Sequence, residues 1–146
     1  MLNSAYLYQQ IPVEIRPFFK IEMADIPSQY ANLLDNIAQA IRAIIPFVLL
    51  NKTVNVVVGT QPFELQLQHA TLSVRLSPPT LHMAIENFAF LDLNHMIGLP
   101  DALQRACVLE ELTHVLINVK DEHIVKLMVA EMLPDVRYVN GKYHAL

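Results

Sequence analysis

Glycine occurs only three times in 146 residues, too rarely for the glycine-rich turns that wrap a backbone around phosphate. There is no G-x-G-x-x-G, no Walker loop and no G-x-S-x-G elbow, which argues against dinucleotide enzymes, P-loop nucleotide hydrolases and α/β-hydrolases. Cysteine occurs once, at Cys107, which excludes an intramolecular disulfide and a C-x-x-C centre. Lying on the apolar side of its helix, Cys107 reads as a small buried hydrophobe. Basic residues number 10 against 14 acidic ones, a formal charge of -4, and they are scattered, so no surface for nucleic acid is expected. The greasiest run, Ile37 to Leu50, is broken by Arg42 and Pro46 and is shorter than the roughly 20 residues that cross a bilayer. Met1 to Gln10 lacks a charged start before an apolar run, so no signal peptide is read there and cytoplasmic residence is expected.

Apolar side chains are what the chain has in plenty: 53% of residues are hydrophobic and 16% charged. That supports one compact domain over residues 1–146 with a genuine core. The mean hydropathy is positive, and a chain of this size with so much apolar surface is expected to hide some of it in a homodimer.

Periodicity divides the chain. Ser4 to Gln9 and Val13 to Glu22 are rich in Tyr, Ile and Phe, but Pro12 and Pro17 confine them to edge or irregular extended structure. From Pro27 the apolar residues Tyr30, Leu33, Leu34, Ile37, Ile41, Ile44, Ile45 and Val48 recur at three and four, which predicts a helix ending near Pro46, with Asp25 or Ser28 as cap. Asn32, Asp35, Asn36, Gln39 and Arg42 form its solvated face. Thr53 to Val58, Glu64 to Gln68 and Thr71 to Leu76 read as strands, with Gly59 and Pro62 marking a turn. Leu81 to Glu86 and Phe88 to Leu93 follow as two more. Asn94 to Gly98 reads as a loop, and Pro100 opens a helix running to about Asn118. A further helix covers Glu122 to Leu133 with Asp121 as cap, and Asp135 to Leu146, containing Asn140-Gly141, reads as a turn and a loosely held tail. The expected class is α+β: a leading helix, a small sheet that is mainly antiparallel or mixed, then two helices.

The helix around Val108 to Val119, VLEELTHVLINV, carries the chemistry. At 3.6 residues per turn, Glu110 and His114 stand one above the other, with Glu111 beside them. Ala106, Cys107, Val108, Leu109, Leu112, Val115, Leu116 and Ile117 surround this polar stripe. His69, His82, His95 and His144 have no ligand spacing to one another and read as ordinary polar residues, His95 being the nearest to the motif in the chain.

The string Glu110-Glu111-Leu112-Thr113-His114 resembles the active helix of the zincin metallopeptidases, His-Glu-x-x-His, with glutamate at the first ligand position. FAFLDLN, LPDALQR, ACVLEELTHVLIN and AEMLPD extend the resemblance to the ImmA/IrrE branch of small zincins over about a third of the chain, Phe88 to Pro134. It implies a zincin-like fold with a strand before the active helix and a later helix that supplies a third ligand. It further implies Glu110 and His114 as ligands of a divalent metal, zinc in the family, and Glu111 as the general base acting on the metal's water. Counting back from Pro134 places His123 at the family's third-ligand position. Helical geometry competes: Glu131 falls with Ile124, Leu127 and Met128 on an apolar face and ranks ahead of His123, unless it pairs with Arg105 or Arg137. Glu122 reads as a solvated ion pair with Lys126 at i+4. Two carboxylates beside one metal blunt its effect on bound water. The expected function is therefore a degenerate zincin-like domain that binds or regulates a protein or peptide without cutting it and has lost the metal; where a metal is kept, zinc is expected. A metal-dependent peptidase using Glu111 is the alternative. Restoring the pattern with Glu110→His is expected to strengthen zinc binding more than any other single change in the chain.

Overall fold

Val54, Val56, Val57 and Val58 are all at most 5% exposed, the signature of a strand covered on both faces rather than one. This strand, β2 (Val54–Gly59), lies inside a computed structural model that describes residues 1–77 and 82–146. It pairs in parallel with β1 (Phe19–Met23) on one side and with β6 (Phe88–Asp92) on the other. The short strand β5 (Met83–Ile85) adds to β6 in antiparallel fashion and ends the four-stranded sheet, of order β1-β2-β6-β5. The sheet is mixed, with its parallel pairs in the majority. Leu81, expected to begin a strand, lies outside the described residues.

Alternation sorts the side chains of this sheet to two faces. Val54, Val56, Val58 and Leu91 join the main core with α2 (Ala31–Ile44) and α4 (Asp101–Ile117). Val57 and Phe90 point the other way, onto Phe63, Leu65 and Leu76. These come from the hairpin of β3 (Phe63–Gln66) and β4 (Thr71–Val74), which forms where alternation predicts it, and from the residues just after it. Helices α2 and α4 pack on each other and α4 also touches β5 and β6, so the motif helix lies under the end of the sheet that finishes in β5. Among the described residues no helix is long and apolar enough to cross a membrane.

Several segments differ from expectation. Ser4–Gln9 is a helix, α1, capped by the Asn3 side chain, which accepts from the Ala5 amide at 3.0 Å. Burial of Leu7, 0% exposed, outweighs the weak helix preference of its tyrosines. After a 3-10 segment, Val13–Phe18, the chain enters β1 as expected for an edge strand. Neither Asp25 nor Ser28 caps α2, which is entered through a 3-10 turn at Ser28–Tyr30. Pro100 is the N-cap of α4 rather than its first residue. A short helix, α3 (Leu93–Met96), begins what reads as a loop. The C-terminal residues are not a loose tail. They form a hairpin of β7 (Val136–Val139) and β8 (Lys142–Ala145), whose turn residues Asn140 and Gly141 both have positive φ, the geometry that suits a two-residue hairpin.

Asn36 is not solvated either. At 1% exposure it donates to Gln104 Oε1 at 2.6 Å and accepts from Arg105 Nη1 at 2.9 Å. Gln104 in turn donates to the carbonyls of Met96 and Leu99, and Arg105 pairs with Asp135, not with Glu131. Every member of this network is satisfied, and it ties α2 to α4 and to the start of the C-terminal hairpin. Asn36→Leu strands the buried Gln104 and the half-buried Arg105 groups and is expected to cost about 1–3 kcal/mol in urea unfolding. A change within about 0.5 kcal/mol would mean that the network contributes no stability.

Candidate functional site

Between β5, α4 and the chain that follows α4 lies a cleft of about 1060 Å³. Glu110, Glu111 and His114 all line it, so the motif residues do share one site. The polar stripe of α4 faces the cleft while Leu109, Leu112 and Val115, each at most 1% exposed, face the core.

Asn118 ends α4 in the left-handed conformation, φ 61 and ψ 37, which asparagine tolerates better than most residues. The chain turns there, and α5 (Glu122–Met132) starts at the expected cap, Asp121 accepting from the Ile124 amide at 2.9 Å. The turn delivers two partners to His114. Its Nδ1–H donates to the Val119 carbonyl at 2.7 Å, and its Nε2 lies 3.2 Å from the Glu122 carboxylate. With Nδ1 committed as donor, the contact to Glu122 attracts when Nε2 also carries a proton.

Folding back, α5 also brings Lys126 into the cleft. Its ammonium bonds the Glu110 carboxylate and lies 4.0 Å from Glu122. The Lys126 and Glu110 side chains are 25% and 12% exposed, so the pair is largely withdrawn from water. Burial works against the charge of Lys126, yet the hydrogen bond and charge of Glu110, with Glu122 and Tyr138, more than offset it and raise its pKa. Tyr143 of β8 completes the surround: its hydroxyl donates to Glu110 at 3.4 Å and its ring lies 5.5 Å from the ammonium. Burial, then the charge of Glu110, push the phenol pKa up.

Glu111 is 6% exposed, and no side chain among the described residues hydrogen-bonds or pairs with its carboxyl. Burial first, then the charges of Glu110 and Glu122, push its pKa up to about 8. It is therefore mostly protonated at neutral pH.

The two leading candidates for a third ligand are elsewhere. Glu131 is exposed, on a face of α5 where Ile124 and Leu127 are 48% and 45% exposed. The face of α5 that packs inward is that of Val125 and Val129. His123 is exposed as well and meets the Tyr138 hydroxyl at 3.0 Å. Glu122 does face Lys126 at i+4, but it belongs to the cleft beside His114.

A second cluster lines the same cleft one turn earlier along α4. His82 precedes β5, His95 belongs to α3 and Cys107 to α4, and each offers a ligand atom within 4.8 Å of the other two. The two imidazoles meet edge to face with centroids 5.0 Å apart. Burial, then the neighbouring His95, hold His82 down to about 4, and burial with the charges of Glu110 and Glu111 raises the Cys107 thiol to about 12. Sequence reading passed over this cluster because its members come from three elements with no shared spacing.

No family model matches the chain, and no curated protein or solved structure matches it.

Zinc at the motif would require Glu110, His114 and a third group to converge around an open point. Glu122 supplies the convergence that His123 and Glu131 do not, but the Lys126 ammonium is bonded to Glu110 within reach of Glu122. As they stand, these residues do not fit a metal: the cation they surround is a side chain.

Proposed function

We propose that this chain is a degenerate zincin-like domain whose cleft binds a protein segment or peptide without hydrolysing it. The observation that carries this reading is Lys126, whose fixed charge lies between the two carboxylates that would otherwise recruit a metal. Glu111 adds support, since a protonated carboxyl cannot take a proton from water and the peptidase alternative needs it as base. Strand β6 before the motif helix and α5 after it support the reading, since the resemblance implies a strand and a later helix in those places.

The partner we propose is an extended segment that adds to the outer edge of β5, with which no described residue pairs. The other end of the sheet is already covered: the Tyr8 hydroxyl donates to the Phe19 carbonyl at 2.8 Å and accepts from the Ile21 amide at 2.9 Å. Among the described residues nothing pairs with the outer edge of β5. An open edge beside a cleft is a ready template for a further strand.

Lys126→Met tests the central premise. It leaves Glu110, Glu122 and His114 facing one another without a cation, so zinc affinity is expected to rise at least tenfold by isothermal titration. The titration belongs in a Cys107→Ser background, which removes the second cluster. With Lys126 in place, Glu110→His alone sets an imidazole beside an ammonium, and the larger gain is expected from Lys126→Met. Chelator-sensitive peptide hydrolysis by the wild type that disappears in Glu111→Gln would overturn the non-catalytic reading.

A further inference from the structure

We infer that His82, His95 and Cys107 form a binding site for a divalent metal of zinc-like chemistry, one helical turn before the motif, with Glu111 at its side. The inference uses a different set of ligands from the motif and stands whether or not the cleft is catalytic.

Three observations lead to it. The donor set is two imidazoles and a thiol, which zinc and its neighbours in the transition series favour. The three ligand atoms already lie within 4.8 Å of one another although they come from three separate elements. Contraction by roughly an ångström brings them to the spacing set by metal–ligand bonds of about 2.0–2.3 Å.

Two polar groups beside the cluster, Glu111 and Nε2 of His82, have no side-chain partner among the described residues, and the second belongs to a ligand of the set. Glu111 follows Cys107 at i+4 on α4, so its carboxyl and the thiol project from the same face of the helix. Buried carboxylates are ordinarily paired or bound to metal, and this one has no partner among the described residues. The second group is Nε2 of His82, fully buried and without a hydrogen-bond partner among the described residues. The Asp92 amide donates to Nδ1 of His82 at 3.0 Å, so the neutral ring keeps its hydrogen on Nε2. For His82 to ligate through Nε2 from where it stands, the ring hydrogen must move from Nε2 to Nδ1, and the Asp92 amide then gives up its acceptor. The metal–imidazole bond has to outweigh that loss.

Binding converts the Cys107 thiol to a metal-bound thiolate and releases its proton to solvent. The ion would tie the chain just before β5 to α3 and α4. It would thus hold the edge strand that borders the cleft.

Cobalt(II) titration of the metal-free wild type provides the test. One ion per chain is expected, with a thiolate-to-cobalt charge-transfer band and the strong visible bands of a four-coordinate site. Cys107→Ser should abolish the charge-transfer band and weaken binding at least a hundredfold. His95→Ala, at a half-buried position away from the α4 core, should weaken it at least tenfold with the fold intact by circular dichroism. Zinc should also protect Cys107 of the wild type from alkylation, a readout that needs no variant. Absence of the charge-transfer band overturns the inference, as does cobalt binding that survives both substitutions. Binding without thiolate character that is lost in Glu110→Gln would overturn it too, and would place the metal at the motif instead.

Discussion

Glu111→Gln is expected to make the metal-free protein more stable at pH 9 than the wild type, by about 2–4 kcal/mol. Raising the carboxyl from its ordinary 4.5 to about 8 corresponds to on the order of 5 kcal/mol of opposition to its charged form. Between those two values the folded chain holds a proton that the unfolded chain has released. Stability from this group is therefore complete below pH 4.5, declines as pH rises through that window, and is gone above about 8. Glutamine keeps the shape and never ionises, so the variant should lack this decline. Denaturant unfolding at pH 5, 7 and 9 gives the comparison, and parallel stability curves for the two proteins would show that Glu111 does not hold a proton in the fold.

Leu112→Ala is expected to cost about 2–5 kcal/mol, because the site is 0% exposed and a large-to-small change there loses transfer energy and leaves a cavity. Leu112 lies between the motif residues Glu110 and His114 in sequence yet faces the core, so the loss should fall on stability alone, while the Glu110–Lys126 contact survives in the folded fraction. Urea unfolding measures it. An effect within about 0.5 kcal/mol would assign Leu112 to the surface and take the motif helix out of the core.

Much of this architecture is legible in the sequence where a local period is strong. The three-and-four spacing of α2, the Pro100–Asn118 segment, the Asp121 cap and the alternation of β3 and β4 all form close to their expected limits. What escapes is whatever depends on partners distant in sequence. Ser4–Gln9 becomes a helix because Leu7 finds the core, and the C-terminal hairpin is held because Val136 is buried and Tyr143 reaches Glu110. In the site, the i and i+4 relation of Glu110 and His114 is local and readable. The third partner depends on the angle between α4 and α5, which Asn118 sets through its backbone alone. The α5 helix misleads in a definable way: it carries apolar residues on two faces. Ile124, Leu127 and Met128 look like the inward stripe, but Val125 and Val129 pack inward and carry Lys126 with them.

The parallel pairing of β1, β2 and β6 has a kinetic consequence. Phe19 pairs with Val54 and Asn55 with Phe88, so each of these pairings closes a long loop before any hydrogen bond repays it. The β5–β6 hairpin and the α4–α5 turn need no such closure, and they hold most of the cleft. Loop closure alone thus favours an early nucleus in the C-terminal half, with both parallel pairings of β2 forming after it.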